Sequence, residues 1–166
     1  QVSATTFTAY GYKKKRRVVL LDTYYYSPAT HSVKKAPSEL AKDYNNFVKK
    51  IQAKYRRPIS TETIDSAEGA LRNQIFKDYG RILTPVVKRK KDTMIDYVRD
   101  LLAQGRFYYL NTENNQIFIE EHKKYQWDKK SLEPGKEPKV VKLDDHTRDA
   151  FQYYVVNNLS KLGLAI

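Results

Sequence analysis

The chain has 166 residues, and 40% of them are apolar by a count that includes its 14 tyrosines, which suits one compact domain. Its 31 Lys and Arg residues against 19 Asp and Glu residues give a net charge of +12 at pH 7, which draws the protein toward polyanions such as nucleic acid. The absence of cysteine excludes disulfides, thiolate metal sites and cysteine nucleophiles, and no apolar run approaches the roughly 20 residues that span a bilayer. We therefore expect a soluble, basic domain with no membrane partner.

The first third of the chain is strongly basic and begins with two segments rich in β-branched and aromatic residues. Residues 4–12 and 18–26 predict an antiparallel pair of strands. A run of five cations joins them, and it is either a solvated turn or a tip that contacts phosphates. Ser38 is then predicted to cap a helix that extends to Tyr55. The five cations of the run are Lys13, Lys14, Lys15, Arg16 and Arg17.

Strands and helices alternate in the middle of the chain, a pattern that is typical of α/β proteins. Strands are predicted at residues 59–64, 82–87 and 107–110, and helices at residues 65–80 and 92–104. A turn at 112–115 then predicts a β-hairpin between 107–110 and 116–121. Residues 129–139 are polar and rich in turn residues, which indicates a loop. The final helix is predicted to begin at Asp144 or Asp145 and to continue to Leu162.

A second basic run lies directly before a predicted helix. Cations at this position oppose the helix dipole, so their presence favours a ligand such as phosphate. The run consists of Lys88, Arg89, Lys90 and Lys91. Together with the first run, these side chains are our candidates for contacts with the DNA backbone.

Acidic residues crowd the predicted start of the last helix, where Asp144, Asp145, His146 and Asp149 lie within six positions. Capping accounts for one or two of these acids but not for a third with a histidine. Asp65 is most simply a helix cap, yet it also stands at the carboxyl end of a predicted strand, where α/β proteins gather their ligands. Carboxylates from both places, on a basic protein, suggest phosphodiester cleavage assisted by Mg²⁺ or Mn²⁺.

Other candidate sites have weaker support in the sequence. Ser66, His146 and Asp149 would supply a serine-hydrolase set, but no nucleophile-elbow glycines surround Ser66. His31 and His122 lack partners at metal-ligand spacing and are expected at the surface. The sequence has no glycine-rich phosphate loop, so nothing in it suggests ATP hydrolysis.

Six segments, in order along the chain, resemble the nuclease domain of the large terminase subunit of tailed bacteriophages, the motor protein that packages and cuts concatemeric viral DNA. The most specific of them are 119–128, which is similar to the family's E-x-x-x-Y-x-W-D segment, and 142–153, which is similar to its D-H-x-x-D-A-x-x-Y motif. The other segments are residues 4–7, 18–27, 63–67 and 91–107.

This resemblance implies an RNase H-like fold, with a mixed central β-sheet flanked by helices and an added β-hairpin. It implies a metal-dependent endonuclease that cuts double-stranded DNA with little sequence specificity by a two-metal mechanism, using Mg²⁺ or Mn²⁺. Asp65 and Asp149 match two catalytic carboxylates and are the expected metal ligands, and His146 matches a residue beside the site.

The sequence departs from the family pattern at its start. The family's first catalytic Asp lies in a D-x-G motif of the first strand, and Gln1 falls just after that motif. Asp22 matches an acid that is not the usual ligand, so it is not a replacement. We expect residues 1–166 to form a single nuclease domain that lacks its first strand and the preceding ATPase domain. By resemblance, the partners are that ATPase domain, the small terminase subunit and the portal, and the location is the host cell cytoplasm.

Two alternatives remain beside the terminase nuclease. One is a catalytically inactive DNA-binding or docking module of the same fold, and metal dependence distinguishes it from the nuclease. The other is a different RNase H-like nuclease or resolvase, against which the segment Tyr125, Gln126, Trp127 and Asp128 argues.

Overall fold

The computed structural model describes residues 4–31, 33–124, 134–135 and 145–164. These residues form the mixed α/β arrangement that the sequence predicts, with the described strands in two separate sheets, a larger and a smaller part. Among the described residues, no helix is both long enough and apolar enough to cross a bilayer.

The larger part of the sheet has three strands, β1 (Thr5–Lys13), β2 (Arg17–Tyr26) and β5 (Phe107–Tyr109). β1 pairs antiparallel with β2, and β2 pairs parallel with β5. The register of β1 and β2 shifts between Ala9 and Tyr10, which partner Asp22 and Leu20, so that the pairing passes over one residue of β2. The smaller part is the parallel pair β3 (Thr63–Ile64) and β4 (Thr84–Pro85).

Seven helices surround these strands in the described part of the chain. They are α1 (Pro28–His31), α2 (Pro37–Tyr55), α3 (Gly69–Tyr79), α4 (Lys91–Ala103), α5 (Gln116–Lys124), α6 (His146–Asn157) and α7 (Leu159–Leu162). Two short 3₁₀ turns lie at Lys14–Arg16 and Glu113–Asn115.

Two hydrophobic clusters cover the larger sheet, and strand alternation explains why they lie on opposite faces. Phe7 and Ala9 of β1 pack on the cluster formed with α2 and α3. Tyr10, on the other face of β1, packs on the cluster formed with α4, α5, α6 and α7. The second cluster therefore joins the last helix to the sheet, which fixes where the acidic first turn of that helix can lie.

The start of α2 differs from the prediction, because Ser38 is not the cap. The helix begins at Pro37, whose fixed φ suits the first helical position. The carboxylate of Glu39 accepts a hydrogen bond from the backbone N–H of Ala36 at 2.7 Å. Glu39 thus satisfies the backbone N–H of the cap residue Ala36, whose own side chain offers no acceptor to the first amides of the helix.

The β-hairpin predicted for residues 107–121 is wrong, because residues 116–124 form helix α5. Alternating Ile117 and Ile119 suggested a strand, but the preceding turn fixes the chain differently. The buried side chain of Asn115 donates to the carbonyl of Leu110 at 2.9 Å and accepts from the hydroxyl of Thr23 at 2.8 Å. This tertiary contact directs the chain into a helix. The rest of the terminase-like segment, residues 125–128, lies outside the described residues, as do Asp144 and almost all of the predicted 129–139 loop.

Other predicted elements are present with shorter bounds. The strands expected at 59–64 and 82–87 are reduced to two residues each, β3 and β4. The single final helix is divided into α6 and α7 at Asn158, whose side chain donates to the carbonyl of Tyr154 at 2.7 Å. An asparagine side chain that bonds to the backbone competes with the helix in this way.

Candidate metal and nucleic-acid site

A cleft of about 1970 Å³ lies along β1 and β3, between the two parts of the sheet. Among the described residues, β1 pairs only with β2 and β3 pairs only with β4, so each strand has one unpaired edge. The first turn of α6 also lines the cleft, which brings Asp65, His146 and Asp149 to one concave surface. The structure thus places these three residues, which come from separate elements, in the lining of the same cleft.

Asp65 directly follows β3 and has two roles. One oxygen, Oδ1, accepts the backbone N–H of Ala67 at 2.9 Å, so the carboxylate stabilises the turn that leads to α3. The same oxygen lies 2.6 Å from the ammonium of Lys88, and 30% of the side chain is exposed. Asp65 is therefore not the helix cap that the sequence predicted, because α3 begins at Gly69 with Glu68 at the cap position. It closes a turn before the helix, and its carboxylate lies at the cleft wall.

Asp149 and His146 belong to the first turn of α6, where both side chains face the cleft. Asp149 forms an ion pair with Lys91, the first residue of α4, and its side chain is 24% exposed. The ring of His146 makes an edge contact with the ring of Tyr25, with centroids 6.2 Å apart. A carboxylate and an imidazole therefore line the cleft side by side.

Lys88 and Lys91 each form an ion pair with one of the two carboxylates. Lys88 lies in the connection between β4 and α4 and reaches Asp65, and Lys91, the first residue of α4, reaches Asp149. Lys88 also lies over the ring of Tyr153 in α6, 5.4 Å from its centroid. The sequence predicts DNA contacts for both lysines but does not predict these ion pairs, because residue spacing does not reveal which side chains meet across the fold.

The two middle residues of this basic run have different surroundings. Arg89 packs its guanidinium against the ring of Tyr97, 5.7 Å from the centroid, and donates to the Tyr97 hydroxyl at 3.3 Å. Lys90 is exposed, and none of the ion pairs found among the described residues involves it. Lys90 is therefore the member of the run that is best placed to meet a phosphate.

The five-cation run forms the tip of the β1–β2 hairpin, and its backbone is held in place. The backbone carbonyl of Arg16 accepts a hydrogen bond from Arg106 at 2.7 Å. Arg17 donates to the carbonyl of Lys14 at 3.0 Å, and Tyr12 beside the tip donates to the carbonyl of Lys161 in α7 at 3.0 Å.

The lysines of this tip point outward from that anchored backbone. Lys13, Lys14 and Lys15 are exposed, and no ion pair of the described residues includes them. Lys13 and Lys14 also line the cleft that contains the carboxylates. The tip thus presents unbalanced positive charge at the edge of the candidate site.

Asp22 and His122, two other residues discussed as candidates from the sequence, lie away from the cleft. Asp22 is buried and pairs with Lys50 at 2.6 Å, outside the cleft. His122 packs on Phe118, with ring centroids 4.1 Å apart, so the expectation of a surface histidine is wrong. Burial, together with the nearby charge of Arg148, lowers the pKa of His122 to about 3.

The donor set fits a divalent cation only in part. Five acidic side chains line the cleft, and carboxylate oxygens are the ligands that Mg²⁺ and Mn²⁺ prefer; they are Glu62, Asp65, Glu68, Asp145 and Asp149. Among the described residues, however, no group of three or more His, Asp or Glu side chains is arranged to hold a metal. Asp65 and Asp149 would hold such a cation after releasing Lys88 and Lys91, and the described residues alone do not make a complete two-metal site.

A mixed sheet flanked by helices, with carboxylates at the carboxyl end of a strand and on the last helix, defines a domain of the RNase H-like class. The sequence matches the family described as the terminase RNase H-like domain over residues 1–157, and the chain belongs to that family. Comparison of the sequence with curated proteins finds no significant match.

Solved structures of the large terminase from a thermophilic bacteriophage have the same fold. One crystal form superposes with a TM-score of 0.80 at 23% sequence identity, covering 95% of this chain and 36% of that one. A second crystal form gives a TM-score of 0.79 at 22% identity, with coverage of 95% and 37%. The chain thus spans a little over a third of the length of these proteins, and the RNase H-like fold expected from the resemblance is confirmed.

Proposed function

We propose that this chain is the nuclease domain of a bacteriophage large terminase, and that it cuts concatemeric double-stranded DNA with little sequence specificity in a reaction that requires Mg²⁺ or Mn²⁺. The observation that carries the proposal is the meeting of Asp65 and Asp149 at one cleft of a terminase-family domain. The exposed lysines at the hairpin tip beside the cleft support DNA as the substrate, because backbone contacts by lysine require no particular base sequence.

In this proposal, Asp65 and Asp149 hold the divalent cation at the cleft wall. A bound divalent metal activates water and stabilises the leaving oxygen of a phosphodiester. His146 lies one turn of helix from Asp149 on the same cleft wall and would orient a water molecule or accept its proton. Lys88 and Lys91 balance the carboxylate charges and would turn toward phosphate when a cation takes their place.

Glu62, Glu68 and Asp145 also line the cleft, but no three acids of the described residues are arranged to hold a metal, and we propose that a third ligand comes from elsewhere. The unpaired edges of β1 and β3 lie along the cleft, and they offer backbone donors and acceptors to a further strand. We propose that a strand in this position completes both the sheet and the ligand set. Solved structures of the thermophilic bacteriophage's terminase are described in complex with ADP and with ATP-gamma-S. By analogy, an ATPase domain, the small terminase subunit and the portal are proposed partners, and the host cytoplasm is the proposed location.

The test is cleavage of a supercoiled plasmid by the purified chain with Mn²⁺. The nuclease proposal predicts nicked and linear products that disappear with EDTA and with Asp149→Asn. Asp22→Asn is the matched control, because it removes an acid that lies outside the cleft. Cleavage that survives Asp149→Asn would show that another site, or a contaminating nuclease, performs the reaction.

The second candidate is a DNA-binding module without catalysis. It is favoured by the pairing of both carboxylates with lysines and by the absence of a third donor among the described residues. Such a module would bind the plasmid with the same salt dependence but would leave it intact with Mn²⁺. Cleavage regained when a longer terminase chain is used would decide for the nuclease.

A further inference from the structure

The first turn of α6 is held from behind by a side chain of another helix. Glu121 of α5 accepts two hydrogen bonds through one oxygen, Oε1: one from the backbone N–H of Thr147 at 2.8 Å and one from its hydroxyl at 2.5 Å. Both residues are buried, with 2% of Glu121 and none of Thr147 exposed. This contact joins positions 26 residues apart and lies in the core rather than in the cleft.

The contact supplies a hydrogen-bond acceptor of the kind that every helix start requires. The first N–H groups of a helix have no acceptor within the helix, and a residue at the cap position usually supplies one. Asp145 occupies that position in α6, but its side chain makes no capping hydrogen bond. Glu121 supplies the acceptor instead, and an acidic group at this end also suits the helix dipole.

The two middle residues of this turn face the core, and the residues on either side of them line the cleft. Thr147 and Arg148 are buried, whereas His146 and Asp149 line the cleft. Fixing the backbone of Thr147 therefore fixes the direction from which the two neighbouring functional side chains enter the cleft. An unanchored helix start would fray and would spread these side chains over several positions.

We propose that Glu121 is a positioning residue: by binding Thr147, it holds the first turn of α6 so that His146 and Asp149 face Asp65 across the cleft. The effect on the helix stands on the contact alone, and only its consequence for metal binding rests on the proposed function. None of the family or fold similarities assigns this role to Glu121.

His122, next to Glu121, adds to the contact between α5 and α6. The Nδ1–H of His122 donates to the carbonyl of Phe118 at 2.7 Å, and the ring stacks on Phe118 and makes an edge contact with Phe151 of α6 at 5.7 Å. α5 therefore meets α6 through an aromatic contact beside the polar one. The aromatic rings provide general packing between the two helices, whereas the hydrogen bonds from Thr147 to Glu121 act specifically on the first turn of α6.

Amide hydrogen exchange tests the proposal with three variants of the chain. Glu121→Leu removes the acceptor, whereas Glu121→Gln keeps a carbonyl oxygen that can accept from Thr147. Phe118→Leu is the matched control, since it weakens the packing of α5 on α6 without touching the cap. We expect Glu121→Leu to speed exchange at the amides of Thr147 and Asp149 at least tenfold relative to the rest of α6. Glu121→Gln should restore protection, and Phe118→Leu should affect α6 uniformly.

Three results would overturn the proposal: uniform exchange in Glu121→Leu, failure of Glu121→Gln to restore protection, or a Phe118→Leu pattern like that of Glu121→Leu. If Glu121→Leu does not fold, Thr147→Val, which removes the hydroxyl donor alone, should speed exchange at the same amides by a smaller factor. Uniform exchange in that variant would also contradict the proposal.

A Mn²⁺ titration of the same variants reports the consequence for the site. Glu121→Leu should weaken Mn²⁺ binding severalfold more than Phe118→Leu does, and Glu121→Gln should bind as the unaltered chain does. Equal binding by Glu121→Leu and the unaltered chain would remove the role toward Asp149. Absence of Mn²⁺ binding in the unaltered chain would count against the proposed function, and the exchange data would still decide the role of Glu121 in the helix.

Discussion

The two basic runs have similar composition and opposite surroundings. At the hairpin tip, Lys13, Lys14 and Lys15 are exposed, and no ion pair of the described residues balances them. In the run before α4, Lys88 and Lys91 are paired with the two candidate metal ligands. The hairpin tip thus presents unbalanced positive charge, whereas part of the second run balances acidic side chains of the cleft.

The largest expected effect comes from removing the unbalanced charge. Replacing Lys13, Lys14 and Lys15 together by Gln should weaken binding to duplex DNA about 100-fold at about 0.15 M salt, with a log–log salt slope smaller by about 2.7, because three phosphate contacts are lost. Fluorescence anisotropy at several salt concentrations measures both quantities.

The control for this experiment is an equal loss of charge elsewhere. Lys42, Lys49 and Lys77 are exposed and do not line the cleft, so replacing these three by Gln should change affinity much less. If the two triple variants bind DNA equally, net charge rather than the hairpin tip determines affinity.

The paired lysines should act on the cation rather than on DNA. Lys91→Met removes the charge that competes for Asp149, and we expect Mn²⁺ to bind about tenfold more tightly because a like charge beside the site is gone. Electron paramagnetic resonance of free Mn²⁺ measures this affinity. Lys50→Met, which frees Asp22 outside the cleft, is the matched control and should leave Mn²⁺ binding unchanged. Weaker binding by Lys91→Met would show that Lys91 supports the cation site instead of competing for it.

A smaller effect separates residues within the second run. Lys90→Gln should weaken DNA binding severalfold and reduce the salt slope by about 0.9, as expected for one phosphate contact. Lys91→Gln should have little effect on DNA binding in the absence of divalent cations, because its charge is already paired. The same anisotropy assay in EDTA compares them. Equal losses would mean that the ion pair opens readily for DNA.

The smallest effect concerns pH and sharpens the contrast between surface charge and core. His122 has its pKa lowered to about 3 by burial, while an unfolded histidine titrates near its ordinary 6.5. The unfolded chain therefore binds the extra proton below pH 6.5, and stability falls as the pH falls toward 3. Between about pH 7 and about pH 5.5 this group should cost about 1.3 kcal/mol. Urea unfolding of His122→Phe should show that much less loss, and an unchanged pH dependence would contradict the burial of a neutral ring.

Sequence reasoning could predict the parts of the fold that depend on local pattern. The β1–β2 pair and helices α2 and α4 follow from periodicity and turn residues, as do the positions of Asp65 after a strand and of Asp149 near a helix start. The α5 segment could not be predicted in this way, because Asn115 fixes it through a contact with Thr23, 92 residues away. The pattern of Ile117 and Ile119 fits a strand as well as a helix.

The sequence predicts where the acids of the candidate site lie on their elements, but not which side chains pair with them. Carboxylates have a recognisable position at helix starts and strand ends, whereas the lysines that meet them could reach many places from an exposed loop. Glu121 belongs to a segment that resembles a terminase motif, but its hydrogen bonds to the first turn of α6 form only when α5 and α6 are packed together. Residue spacing along the sequence does not reveal tertiary contacts of this kind.

A Mn²⁺ titration of three variants tests directly whether Asp65 and Asp149 form one cation site. Asp65→Asn and Asp149→Asn should each weaken Mn²⁺ binding by at least tenfold, while Asp22→Asn should bind as the unaltered chain does. If both cleft variants bind Mn²⁺ as tightly as the unaltered chain, the two carboxylates do not share a cation and the proposed site is wrong.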